Sequence, residues 1–65
     1  MTPGERILTA RRQRGMSQNQ LARHIGTTGK HVSAWEHGRR KPDFENLRKL
    51  CQALDVRADW LLRLE

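Results

Sequence analysis

The side chains with the most chemistry to offer in this chain are His24, His31, His37 and Cys51. Zinc held on a helix asks for ligands at i and i+4, or for a C-x-x-C pair, and none of these residues stands at either spacing. No nucleophile–base pair, carboxylate dyad or phosphate-cradling glycine loop accompanies them. No enzyme, resident metal or cofactor is therefore expected, nor a small-molecule ligand. What remains are cations. Lys30 stands alone, and Arg39, Arg40 and Lys41 form a run in a chain of net charge +6 and sequence pI 11.1. That balance favours a polyanionic partner. Small proteins are also basic for solubility alone, and most charge runs are solvated loops, so the placement of the charge decides.

The stretch that must position these residues runs from Ser17 to Glu36. Ser17 is a fitting N-cap, with Gln20 three residues on completing a capping box and Met16 and Leu21 at the two positions of a hydrophobic staple. The helix that starts there stops at Gly26, where a left-handed residue suits a sharp corner. Thr28 is the expected N-cap of a second helix running to Glu36 or His37, with Gly38 as its stop. Two short helices joined by a tight corner make a helix-turn-helix. Leu21, Ala22 and Ile25 form the apolar face of the first. On a wheel of roughly 100° per residue, Thr28, Val32, Trp35 and Glu36 turn inward on the second, and Lys30, Ala34 and His37 turn outward with Ser33 beside them. Such a face is short, polar and uncharged apart from Lys30, as a helix that enters a groove needs to be.

The flanking elements follow the same helical grammar. Thr2 and Pro3 open a first helix over about residues 4–14 that ends at Gly15, with Ile7 and Ala10 facing inward. Arg11 falls near that apolar side. A buried guanidinium needs a partner, and Glu36 is the best placed, so Arg11–Glu36 reads first as a structural ion pair. The loop Gly38–Pro42 follows the second motif helix directly, which would lay its three cations along a phosphate backbone. Asp43 caps a fourth helix whose stripe Leu47, Leu50, Cys51 and Leu54 faces the core, ending at Asp55. A last helix is expected over Ala58–Leu64. Its apolar residues are spread around more than one face, which marks Ala58, Leu61, Leu62 and Leu64 as a possible dimer interface. With no period-2 run, the fold class is all-α: five helices in a single domain over residues 1–65.

These residues resemble the lambdoid phage repressor family, the Cro/cI-type helix-turn-helix. The resemblance rests on G-E-R-I at 4–7, Arg11-Arg12, S-Q-x-x-L-A at 17–22, Gly26, S-x-W-E at 33–36 and Pro42. It continues in E-N-L at 45–47, L-x-x-x-L at 50–54 and D-W-L-L at 59–62. It implies a regulator, more often a repressor, that binds a pseudo-palindromic DNA operator as a dimer. Each Thr28–Glu36 helix would lie in a major groove, with half-sites about one turn, ~34 Å, apart. Thr28, Gly29, Lys30, Ser33 and Ala34 match its base-proximal positions. Lys30 would suit guanine O6 and N7, and Ala34 a thymine methyl. Gln18 matches the glutamine that grips a phosphate and braces the recognition helix, with Asn19 beside it on that turn and His37, Arg39, Arg40 and Lys41 at the far end. Gly29 departs from the pattern, because relatives often carry a polar side chain there; Arg57 departs too, where a small capping residue is common.

The rival reading is a protein-interaction module on the same fold, such as an antitoxin or a polymerase-contacting regulator. An antitoxin would carry an extension to wrap its toxin, and almost no tail lies outside the five helices, so an operator-binding regulator is expected. The lone Cys51 excludes an internal disulfide and suits a reducing cytoplasm. No signal peptide or apolar run near the roughly 18 residues of a membrane span is present, so no membrane partner is expected.

Overall fold

The computed structural model describes all 65 residues and contains five helices: α1 Pro3–Gln13, α2 Gln18–Ile25, α3 Gly29–Glu36, α4 Phe44–Leu54 and α5 Ala58–Leu61. Local chemistry starts four of them. Thr2 Oγ1 accepts from the Glu5 N–H at 3.1 Å while Glu5 Oε1 accepts from the Thr2 N–H at 2.7 Å, a capping box ahead of Pro3. Those bonds to Thr2 hold the Glu5 carboxyl below its ordinary value. Ser17 and Gln20 form the same box for α2. Thr28 Oγ1 accepts weakly from the His31 N–H at 3.4 Å, and Asp43 accepts from the Asn46 N–H at 2.8 Å. Arg57 makes no side-chain cap bond to α5; its guanidinium instead donates to Asp59 and lowers that carboxyl's pKa.

All five helices end alike. Gly15, Gly26, Gly38, Asp55 and Arg63 have positive φ. The N–H of the following residue reaches back five positions in each case, as from Arg39 to Ala34 O and from Leu64 to Asp59 O. These closures satisfy carbonyls the helix leaves unpaired. Arg63, at φ 62, stops the last helix after Leu61. The helix expected to reach Leu64 is therefore a single turn.

The core joins Ile7 and Ala10 of α1, Leu21, Ala22 and Ile25 of α2, Val32 and Trp35 of α3, Leu50 and Leu54 of α4, and Leu61. Met16, Leu47, Cys51, Val56 and Trp60 pack around it half-buried. Cys51 is thus only partly covered, though desolvation still raises its thiol pKa. Leu61 is 1% exposed. It plugs the core between α1 and α4 and is withdrawn from the expected dimer surface. The backbone of α1 comes close to that of α3 at Gly4, where a Cβ would lie 2.5 Å from the carbonyl oxygens of both Trp35 and Glu36.

Candidate nucleic-acid interface

α3 is held against the rest of the domain from behind. Arg11 Nε donates to Glu36 Oε2 at 2.7 Å and Arg11 Nη2 to Glu36 Oε1 at 3.2 Å; Arg11 Nη1 donates to Met16 O at 2.9 Å. Both side chains are buried. Gln18 Nε2 donates to the same Glu36 carboxylate at 2.9 Å, which ties the first turn of α2 to the last residue of α3. One N–H of that amide is thereby committed, and the other is left for an outside acceptor such as a phosphate oxygen. His31 stacks on Trp35, with ring centroids 6.4 Å apart, and its Nδ1 is 2.6 Å from Thr27 Oγ1. At the far end His37 Nδ1 donates to Ser33 O at 2.8 Å, which leaves Nε2 outward.

The charge on this side is unbalanced. The only acid between Arg12 and Lys41 is Glu36, already neutralised by Arg11. Five carboxylates are taken up in ion pairs with Arg6, Arg11, Arg14, Arg48 and Arg57. The remaining two, Glu5 and Asp43, cap helices. Lys30, Arg39, Arg40 and Lys41 are exposed and in no ion pair; Arg39 only touches Ser33 Oγ, at 3.5 Å. The turn at Gly38 folds their loop back, so that the Arg39 and Arg40 N–H groups both reach Ala34 O.

That turn corrects one expectation. Ala34 is 9% exposed where the loop doubles back on α3, so its methyl is covered and not offered to a thymine. The wheel also misplaced Thr28, which is exposed at the start of α3, as an N-cap must be. Of the five residues expected near the bases, Thr28 and Lys30 are open, Ser33 and Gly29 are half-buried, and Ala34 is closed. Asn19 lies over Gly29 at the start of α3.

One residue of a second, apolar surface went unread in the sequence. Phe44, the first residue of α4, is 93% exposed. It edges a cleft of about 800 Å³ whose apolar lining includes Pro3, Ile7, Leu47, Leu61 and Leu62. Leu62, which lines this cleft, and Leu64 are exposed, as expected, and so is Ala58. Phe44 lies three residues before Leu47 and in register with the α4 stripe, so periodicity alone would have turned it inward.

The helix-turn-helix domain family matches the chain over residues 4–65. The chain belongs to this family, in its Cro/cI-type branch. Its relatives include an HTH-type transcriptional regulator of Bacillus subtilis, the SPbeta prophage-derived YonR, 37% identical over 60 residues that span 92% of this chain and 56% of that protein. Repressor protein C2 of Salmonella phage P22 is 35% identical over 92% of this chain and 28% of its own length. The chain thus spans about half or less of these relatives. Among solved structures, the P22 c2 repressor in complex with a synthetic operator superposes with TM-score 0.95 and 32% identity, over 100% of this chain and 98% of that one. SinR in complex with DNA gives 0.86 and 31%, over 94% and 98%. This helix-turn-helix family is one of DNA-binding transcription regulators and not a class of enzymes.

Proposed function

We propose that the domain is a sequence-specific binder of double-stranded DNA that represses transcription as a homodimer on a two-fold symmetric operator. The observation that carries this reading is the charge arrangement around α3. Lys30 and the Arg39–Lys41 loop are exposed and unpaired, while every carboxylate is committed elsewhere. The likeness to a repressor solved on its operator supports it. In this reading α3 enters the major groove, with Lys30 reading guanine O6 and N7 and Ser33 beside it. The second N–H of Gln18, His37 and the loop cations Arg39, Arg40 and Lys41 hold phosphates on either side, which sets register and orientation.

A second copy covers the surface made by Phe44, Ala58, Leu62 and Leu64, with Leu61 left in the core. Symmetric half-sites about one turn, ~34 Å, apart require such a pair. The test is selection of sites from a random duplex pool, followed by footprinting at two salt concentrations. A two-fold symmetric consensus is expected. Weak binding with no consensus, lost as salt rises, would refute the reading and send the search to a protein ligand for the cleft beside Phe44.

A further inference from the structure

The first residue of α3 has no side chain, and a residue from α2 occupies the space where one would be. A Cβ built on Gly29 would stand 2.1 Å from Asn19 Oδ1 and 3.2 Å from Asn19 Cγ. Gly29 lies in ordinary helical backbone, outside the left-handed region, so its backbone geometry does not demand glycine. What stands in the place of a side chain there is the Asn19 carboxamide, an exposed tip that a larger residue would displace. The neighbours of Asn19 on α2 are committed: Gln18 donates to Glu36 at 2.9 Å, and Gln20 Oε1 accepts from the Ser17 N–H at 2.7 Å. The Asn19 carboxamide has no hydrogen-bond partner in the domain, and the residue is exposed.

The chemistry that suits this group is a base edge. A carboxamide carries an acceptor and a donor side by side, the complement of adenine N6–H and N7 in the major groove. The first turn of a recognition helix is where side chains meet base edges. On α3 that set is thin, because Gly29 offers nothing and Ala34 is covered. We infer that Asn19, although it stands on α2, reads an adenine from the position that Gly29 leaves empty, instead of holding a phosphate. The inference rests on the operator-binding reading above.

Sites are selected from a random duplex pool with the wild type, Asn19→Ala and Gly29→Ala, after circular dichroism has shown each to be helical. The wild-type consensus should contain one adenine per half-site that Asn19→Ala no longer selects. On the best site Asn19→Ala should bind roughly 5- to 150-fold more weakly, the range set by one bidentate base contact. On a site changed at that adenine the two proteins should bind equally. Gly29→Ala, by pushing Asn19 aside, should lose the same adenine, and adding it to Asn19→Ala should cost little more. Two results overturn the inference while leaving operator binding intact. One is an Asn19→Ala consensus identical to the wild type's. The other is uniform weakening on all sequences with a salt slope smaller by about one, which marks a phosphate contact. A wild type with no consensus overturns both readings. If Gly29→Ala does not fold, Asn19→Ala decides alone.

Discussion

Glu36 takes three hydrogen bonds from two side chains in a place closed to water, two from Arg11 and one from Gln18. A buried ion pair of this kind adds little over an apolar pair of the same shape, but losing one partner strands the other's charge. Glu36→Ala leaves Arg11 with Met16 O alone. The expected loss is about 3–5 kcal/mol, read as a lower urea midpoint. That is a large share of the roughly 5–15 kcal/mol that holds a typical domain folded. A midpoint within error of wild type would mean that the pair opens to solvent. Lys30 is the opposite case, an exposed ammonium with no partner inside the domain. Lys30→Ala should leave folding intact, cost about 1–3 kcal/mol on the best DNA site and relax preference at one base. Equal losses on every sequence in a competition assay would reassign it to a phosphate.

At the scale of elements, the placement of α3 depends on how closely α1 can approach it. The first turn of α1 presses on the last carbonyls of α3, where a Cβ on Gly4 would sit 2.5 Å from two oxygens. Backbone cannot swing aside as a side-chain tip can, so the helices must part. Gly4→Ala should therefore destabilise by about 1–3 kcal/mol, the cost of overpacking a tight contact, and a urea titration should show it. An undiminished midpoint would mean that the two helices separate without cost. The neighbouring contacts in α1 tie down the other end of the chain. Arg6 Nη1 donates to Trp60 O at 2.5 Å, its guanidinium lies 5.0 Å over the Trp60 ring, and it pairs with Glu65. Arg14 Nε donates to Leu54 O at 3.2 Å and Nη2 to Asp55, which closes the end of α4. α1 thus clamps α3, α4 and α5 together and leaves α2 and α3 to present their outer faces.

Across the whole molecule, two surfaces are left without internal partners, one cationic and one apolar. Replacing Arg40 and Lys41 with Ala should flatten the salt dependence of DNA binding by up to about two units of log–log slope, one per lost phosphate contact. An unchanged slope would take the loop out of the interface. On the other surface, Phe44→Ser with Leu64→Ser should leave the thermal midpoint of the domain nearly unmoved, because both side chains are already largely in water, 93% and 71% exposed. The same pair should weaken joint occupancy of two half-sites, each truncation by about 1–2 kcal/mol, measured by quantitative footprinting. Occupancy equal to wild type would refute the proposal that a second copy docks on this patch.

The sequence by itself determined the number and order of the helices and the starts of the first four. A cap is a contact between residues three apart, so Ser17 with Gln20, or Asp43 with Asn46, carries its instruction locally. The corner at Gly26 and the stops at Gly15 and Gly38 were legible for the same reason, since only glycine takes a left-handed turn at no cost. Arg11 could be matched to Glu36 because a guanidinium on an apolar face admits few partners. Other features were decided only when elements met. Arg63 adopts a left-handed backbone that arginine does not advertise, once Leu61 is anchored in the core and the Leu64 N–H finds Asp59 O. Ala34 is closed by a loop that doubles back, Phe44 is opened because nothing packs on it, and Asn19 fills the space beside Gly29. A helical wheel gives each side chain an angle about its own axis. Whether that direction ends in water, in the core or against another helix depends on distances between segments remote in the chain, and those exist only in the folded molecule.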